Sequence, residues 1–231
     1  MLVSESQMEA MRGCAAEEMA WFEELGLSVS VRSDMSALAR FLRETPPRMV
    51  DPSFDPAGRT LHPDSFWINI MTAERESVAS HAVTLFERAE LQDLVSSGQL
   101  WFDRPPGHWG RLQARFTPLR QAVHGNIAHS GGGLVVPAWR GRGLFAHLVR
   151  LSRAFALQRL AFDWFSGSLF DDPAGRMPDS MHVFGFPRAT RQRAFAGYFA
   201  PLGRDVQIDL MVEPADRVLE GLLAGMATST A

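Results

Sequence analysis

One stretch of this 231-residue chain constrains its fold more than any other. It is an apolar run that ends in proline and leads through a glycine–arginine turn into a long helical pattern. The stretch is GGGLVVPAWRGRGLFAHL, residues 131–148. Its first part suits a strand in which the glycines favour a bulge. Its second part continues to Leu160, and the apolar positions share one helical face: Leu144, Leu148, Leu151 and Phe155. A strand that passes directly into a helix predicts an α/β fold with a mixed sheet.

The turn between this strand and this helix has unpaired hydrogen-bond donors. Helices usually begin with Ser, Thr, Asp or Asn as a cap, or with acidic residues in the first turn, and this one has neither. The backbone N–H groups from Gly141 to Ala146 are therefore predicted to be open to an external anion, such as a pyrophosphate. Arg140 and Arg142 add forked donors that suit phosphate oxygens.

The charge distribution also favours an anionic ligand. From Arg104 to Phe162 the chain has nine arginines and no acidic residue, whereas the remainder has 14 arginines against 26 acidic residues. A solvated basic face explains this block equally well on charge alone. No nucleic-acid motif is present and the net charge is −3, which predicts no nucleic-acid partner. All 23 basic residues are arginine, so a catalytic lysine is excluded.

The other elements follow from periodicity and turn residues. Helices are predicted at 5–25, after a cap at Ser33, at 88–98 and at 144–160; strands are predicted at 27–32, 66–73, 77–86, 126–136, 161–170 and in a final hairpin over 191–212. Residues 45–65 contain five prolines and are predicted to be irregular. We expect no signal peptide and no membrane span. The single cysteine, Cys14, cannot form an internal disulfide, which favours a cytoplasmic location.

Two known phosphate-binding motifs fit poorly. GxxxxGK[ST] does not occur, so the chain is not a P-loop NTPase. Gly141-x-Gly143-x-x-Ala146 matches a loose dinucleotide fingerprint, but no acidic residue follows about twenty positions later after a second strand. The seven histidines show no metal-ligand spacing, so no metal is predicted.

The stretch VVPAWRGRGLFAHLVRLSRAFA, residues 135–156, resembles the acetyl-CoA-binding motif of the GNAT acyltransferase superfamily. That motif is an apolar strand, Arg/Gln-x-x-Gly-x-Gly/Ala and an amphipathic helix, and here it runs Arg140-x-x-Gly143-x-Phe145. The resemblance implies a mixed, mostly antiparallel central sheet flanked by helices. It also implies a domain at 27–231 that carries an insertion at about 87–126, preceded by an N-terminal helical extension at 1–26.

The resemblance further implies which residues bind acetyl-CoA or another acyl-CoA. These are Leu134, Val135, Val136, Arg140, Gly141, Arg142, Gly143, Leu144 and Phe145. An acceptor amine would attack the thioester directly, and a backbone N–H at Val135 or Val136 would stabilise the oxyanion. Phe145 replaces the small third residue that is usual in the motif.

The acid and base are less clearly marked. His129, on the cofactor strand, is the candidate base, with Asn126 and His124 as substitutes. FGFPR, residues 184–188, resembles the GF that precedes the closing hairpin in the family, and the family often has a tyrosine acid four residues before that glycine, where this chain has Met181. The adjacent His182 and the only tyrosine, Tyr198, are the candidate acids. For each of these residues a purely structural role is an alternative.

Five further residues are candidates for substrate contacts, and each has a structural alternative. Asp171 and Asp172 would attract a cationic amine or simply begin a loop, and Trp67, Trp101 and Trp109 would line an acyl pocket or pack in the core. The predicted function is acetyl transfer to a small-molecule or peptide amine, without a metal. A homodimer is compatible with this prediction. The alternatives are a non-catalytic module that binds CoA or a protein, and a longer-chain acyltransferase that uses acyl-carrier protein.

Overall fold

A computed structural model describes residues 4–105, 115–171 and 189–229. The helices are α1 Glu5–Glu24, α2 Met35–Glu44, α3 Leu91–Ser97, α4 Leu144–Arg159 and α5 Ala215–Ser229. The strands are β1 Ser28–Arg32, β2 Phe66–Met71, β3 Ser77–Glu90, β4 Arg115–Phe116, β5 His124–Val135, β6 Trp164–Phe170, β7 Thr190–Phe199 and β8 Arg204–Pro214. Within these ranges no helix has the length and apolarity that crossing a bilayer requires.

The strands form one sheet in the order β1-β2-β3-β5-β6-β8-β7-β4. Every neighbouring pair is antiparallel except β5 and β6, which are parallel. Adjacent parallel strands need a long connection, and α4 provides it between β5 and β6. The predicted fold class, an α/β fold with a mixed and mostly antiparallel sheet flanked by helices, is therefore confirmed.

Helices cover both faces of the sheet. Helices α1, α4 and α5 contact one another on one face, where they enclose Phe66, Ile68 and Ile70 of β2. The other face carries α2 and a 3-10 turn at Pro52–Phe54, which pack over Trp67. Alternation along β2 thus sends successive side chains into two separate cores. Helix α1, predicted as an extension, contributes Met11, Cys14 and Phe22 to the first of these cores.

A bulge in β5 decides which way its side chains face. Ser80 is opposite Leu134, but Ala82 is opposite Gly131, so β5 has one extra residue in between. Gly132, within the bulge, has a φ of 58°, which glycine adopts readily. The predicted bulge is present, and it places His129 and Val135 on opposite faces of the sheet.

Three local details differ from the sequence predictions. Asp34, not Ser33, caps α2, because its Oδ1 accepts a hydrogen bond from Ala37 N at 3.1 Å. Arg153 lies off the apolar stripe of α4 but is nevertheless buried, paired with Glu213 of β8. Helix α5 was not predicted, and its buried residues pack against α1, α4 and β8.

A buried carboxylate joins α1 to α4. Glu18 is 5% exposed, and its two oxygens accept hydrogen bonds from His147 Nδ1 at 2.7 Å and Arg150 Nε at 2.6 Å. Trp21 stacks on the His147 ring with centroids 3.7 Å apart. These contacts fix the N-terminal helix against the first turns of α4.

Replacing Glu18 by Gln is expected to lower the free energy of unfolding by about 2–3 kcal/mol, because it removes the charge that compensates Arg150 in a partly buried site. Urea unfolding at neutral pH measures this loss. The exposed neighbour Glu17 provides the control, since Glu17→Gln should change stability by less than about 0.5 kcal/mol. Equal effects of the two substitutions would show that the Glu18 contacts contribute nothing specific.

Candidate active site

The parallel strands β5 and β6 pair along only part of their length. Residues 127–130 of β5 pair with residues 164–167 of β6. Beyond that point β5 continues beside β3 and β6 continues beside β8, so the two strands separate. A cavity of about 230 Å³ occupies the gap, lined by residues 131–134 of β5 and 167–170 of β6. We call this gap the wedge.

A second cavity, of about 580 Å³, lies at the start of α4. It is lined by Val135 and by residues of the glycine–arginine turn from Trp139 to Ala146. The two cavities share four lining residues: Pro47, Gly133, Leu134 and Phe145. An elongated ligand can therefore extend from the start of α4 into the wedge without leaving a cavity.

The turn before α4 has the open donors that the sequence predicts, over a shorter range. Gly141 and Gly143 have φ values of 77° and 80°, which explains why glycine occupies both positions. Gly143 caps α4 without any side-chain hydrogen bond. Within the described ranges, nothing accepts a hydrogen bond from the N–H groups of residues 141–144. Ala146 N, by contrast, donates to Gly143 O at 3.1 Å, so it is not one of the open donors.

The two arginines of the turn are positioned by neighbouring groups. Arg140 Nε donates to Val135 O at 3.0 Å, and the guanidinium of Arg142 lies 4.5 Å from the centroid of the Trp139 ring. Both side chains are exposed. They add positive charge beside the open N–H groups, where an anion is already favoured by the helix dipole.

Of the two backbone donors predicted for the oxyanion, only one is available. Val136 N donates to Val78 O at 2.9 Å, so the prediction is wrong for Val136. Backbone groups alternate in direction along an antiparallel strand, which points the N–H of Val135 away from β3 and toward the opening of the wedge. The bond from Arg140 to Val135 O is consistent with this direction, since N–H and C=O of one residue point the same way.

His129, the predicted base, is fully buried on the face of β5 that carries the 3-10 turn. Its Nδ1 lies 2.8 Å from Ser166 Oγ, and its ring stacks on Phe54. Burial lowers the pKa of His129 to about 3, with a smaller contribution from the charge of Arg59. His129 lines neither cavity.

Of the two predicted acids, Tyr198 and His182, the structure describes only Tyr198. Tyr198 is 40% exposed on β7, opposite Asp205, and it lines neither cavity. His182 lies outside the described residues, as do Asp172 and Trp109. The prediction of Tyr198 as the acid therefore gains no geometric support, and the prediction of His182 stays a prediction.

The remaining substrate candidates occupy structural positions. Asn126 accepts a hydrogen bond from Arg88 N and donates to Ala161 O, and Asp171 accepts hydrogen bonds from Arg204 and from the backbone N of Gln207. Trp67 is buried in the core beneath α2, and Trp101 is buried in a third apolar cluster. His124 is exposed at the start of β5.

The wedge contains two ionisable side chains that sequence reasoning missed. Asp51, from the proline-rich segment, approaches it from the face that carries α2, and His81 of β3 approaches it from the face that carries α4. They are 4% and 3% exposed. The sequence signals were a carboxylate in the turn motif Asp-Pro-Ser and a histidine in the middle of the strand predicted at 77–86.

The tautomer of His81 follows from its hydrogen bonds. Ser152 Oγ donates to Leu148 O at 2.8 Å, so it must accept from the His81 Nδ1 that lies 2.8 Å away. Nε2 of His81 is therefore unprotonated. Burial lowers the pKa of His81 to about 3, which keeps the ring neutral. Its Cδ2 lies 3.4 Å from the position that a Cβ at Gly133 would take, so this edge of the ring faces the lining of both cavities.

No metal site is found in the part of the chain that the structure describes, where no three His, Cys, Asp or Glu side chains form a group that could hold an ion. The candidate site is therefore built from backbone donors, two arginines, one carboxylate and one neutral imidazole.

No protein-family model matches the chain, and no curated protein matches it significantly. Solved structures do match. NAA60 from Arabidopsis thaliana in complex with a bisubstrate analogue is 12% identical over 81% of this chain and 98% of its own, with a TM-score of 0.45. The spermidine N-acetyltransferase SpeG from Vibrio cholerae is 11% identical over 84% of this chain and 96% of its own, with a TM-score of 0.47. NAA60 in complex with acetyl-CoA gives 12% identity and a TM-score of 0.46.

Proposed function

We propose that the chain is an acyl-CoA-dependent N-acyltransferase that transfers an acetyl group from acetyl-CoA to a primary amine. The observation that carries this proposal is the connected pair of cavities. One lies at a helix start whose backbone N–H groups are open, and the other is a gap between two parallel strands that exposes a backbone donor. A nucleotide thioester has the matching parts, since it joins a pyrophosphate to a reactive carbonyl through a long thin arm.

In this proposal each part of the ligand has a defined place. The pyrophosphate accepts hydrogen bonds from the N–H groups of residues 141–144, beside Arg140 and Arg142. The thin arm passes Gly133, which has no side chain and is open to both cavities. The thioester carbonyl accepts a hydrogen bond from Val135 N–H, which stabilises the negative charge that develops when an amine attacks.

The reaction is a single acyl transfer. The uncharged amine forms a C–N bond with the carbonyl carbon, and the C–S bond breaks. The thiolate of CoA leaves with one proton, which comes from the attacking nitrogen. The small volume of the wedge supports acetyl over a long acyl chain, which the alternative with acyl-carrier protein would require. A cytoplasmic location belongs to the proposal because Cys14 is a free, buried thiol.

The test of this proposal is ligand-induced stabilisation. Acetyl-CoA at about 100 times its Kd should raise the free energy of unfolding by about 2.7 kcal/mol, which thermal unfolding detects as a higher Tm. Gly143→Asp should weaken acetyl-CoA at least about tenfold, because it adds a negative charge where the pyrophosphate binds. Gly143→Asn is the matched variant, since Asn tolerates the left-handed backbone equally well without the charge.

Gly26 supplies a remote control, because it also has a positive φ and nothing within 4 Å of its Cβ position. Gly26→Asp should leave the acetyl-CoA shift unchanged. The absence of any shift with acetyl-CoA in the wild-type chain would refute the proposed function. A shift without release of free CoA thiol in the presence of amines would favour the non-catalytic binding module.

A further inference from the structure

The wedge contains a carboxylate for which acyl transfer as described above has no role. Asp51 lies directly over the backbone of β5 at the point where β5 separates from β6. A Cβ at Gly131 would overlap Asp51 Oδ2 and would lie 2.6 Å from Phe54 Cε2. Gly131 thus gives the carboxylate room to reach the strand, at the closed end of the wedge.

Backbone donors hold Asp51 in one position. Its Oδ1 accepts a hydrogen bond from Ser53 N at 3.0 Å and caps the 3-10 turn at Pro52–Phe54. The backbone N–H of Gly132 also donates to the carboxylate. The side chain is therefore oriented before any ligand arrives, as a group that acts in a transition state needs to be.

The surroundings of Asp51 leave its charge without an ion-pair partner within 4.0 Å among the described residues. The cation whose charge acts on Asp51 is Arg59, whose guanidinium donates to Gln99 O and lies over the ring of Phe86. The other ionisable groups facing this region are His129 and His81, both of which stay neutral. Burial raises the pKa of Asp51 above its usual range, which makes it a stronger base than an exposed carboxylate.

We propose that Asp51 is the general base of the acyl transfer, and that the acceptor is a small primary amine that enters the wedge as a cation. This inference rests on the proposed function. The carboxylate takes one proton from the ammonium group, which leaves an uncharged amine beside the thioester. The amine forms the C–N bond and the C–S bond breaks; the nitrogen gives its second proton to the departing CoA thiolate, and Asp51 later returns its own proton to solvent. A fixed carboxylate in a small cavity also disfavours acceptors with their own carboxylate next to the amine.

The test compares Asp51→Asn with the wild type, using acetyl-CoA and n-butylamine between pH 6 and pH 10. Removing a general base should lower kcat/KM about 10²-fold or more at pH 7. The deficit should shrink about tenfold per pH unit as the pH rises toward the pKa of the amine, because the variant depends on the amine that is already uncharged. A purely structural role would give a deficit that does not change with pH.

Controls separate this proposal from the proposed function. Asp51→Ser keeps an acceptor for Ser53 N–H but has no carboxylate. Even if Asn at this position disturbs the turn, Asp51→Ser should therefore show the same pH-dependent deficit. Asp64→Asn removes an exposed carboxylate from the same segment and should leave the rate unchanged. All variants should keep the acetyl-CoA thermal shift, whose loss in the wild type would refute the proposed function itself.

Three results would overturn the assignment of Asp51 while acetyl-CoA still binds. They are equal rates for Asp51→Asn and wild type, a deficit that stays constant with pH, and no turnover of n-butylamine by the wild type at any pH in this range.

Discussion

Lowering the pH from 7.5 to 5 is expected to remove about 4 kcal/mol of stability through two buried histidines. Burial in the folded chain lowers the pKa of both His81 and His129 from the ordinary value of 6.5 to about 3. The unfolded chain therefore binds more protons than the folded chain between these values, and stability falls as the pH drops below about 6.5. At pH 5 each histidine contributes about 2 kcal/mol to this loss.

Urea unfolding at pH 7.5 and pH 5 measures the loss, and single variants assign it. His81→Gln and His129→Gln should each reduce the pH-dependent difference by about 2 kcal/mol, whatever they do to stability at pH 7.5. His124→Gln, at an exposed position, should leave the difference unchanged. Asp51 acts in the opposite direction, because its raised pKa makes the folded chain gain stability as it protonates. Equal stability of the wild type at both pH values would contradict the prediction.

Replacing two glycines of β5 by alanine is expected to have different effects. Gly131→Ala should lower the stability of the fold, whereas Gly133→Ala should weaken the binding of acetyl-CoA. At Gly131, a Cβ would meet Asp51 and Phe54, which belong to a rigid turn. Such overpacking should cost about 1–3 kcal/mol. At Gly133, a Cβ would clash with the Phe145 ring, at 2.7 and 2.8 Å, and would lie at van der Waals contact distance, 3.4 Å, from His81 Cδ2. The Phe145 ring is only partly buried and can rotate, so stability should change by less than about 1 kcal/mol.

The displaced Phe145 ring would move into the space that both cavities share. Gly133→Ala should therefore weaken acetyl-CoA by about tenfold, or 1.4 kcal/mol, although the chain remains stable. Isothermal titration with acetyl-CoA and urea unfolding of both variants test the two expectations together. Full acetyl-CoA affinity in Gly133→Ala would argue that the ligand does not pass this glycine.

The part of the site that could be predicted from sequence is the part that local rules determine. Helical periodicity located α4, the missing cap marked its open start, and the run of three glycines predicted the bulge in β5. Each of these depends on residues within a few positions of one another. The cap of α2 moved only from Ser33 to Asp34, since both side chains can accept the same kind of bond.

The rest of the site depends on contacts between distant segments. Asp51 reaches β5 only because Gly131, 80 positions later, has no side chain. The tautomer of His81 depends on Ser152, because the bond from Ser152 Oγ to Leu148 O requires His81 Nδ1 to be the donor to Ser152. The bulge also moved His129 to the face opposite Val135, so a base inferred from strand alternation lies away from the cavities. Helix α5 owes its place to the core beneath α1 and α4 rather than to a cap or turn signal.

The contacts of Glu18 have a thermodynamic consequence for the N-terminal helix. His147, which Glu18 binds, lies 3.9 Å from the Cβ position of Gly143, at the start of α4. Docking of α1 and the proposed binding of an anion at the turn before α4 therefore act on the same few residues. If a docked α1 improves the affinity of this turn for its ligand, then the bound ligand holds α1 in place by the same free energy, because coupling between two sites is reciprocal. In thermodynamic terms α1 would then act on this turn as a second ligand does, although it is part of the same chain.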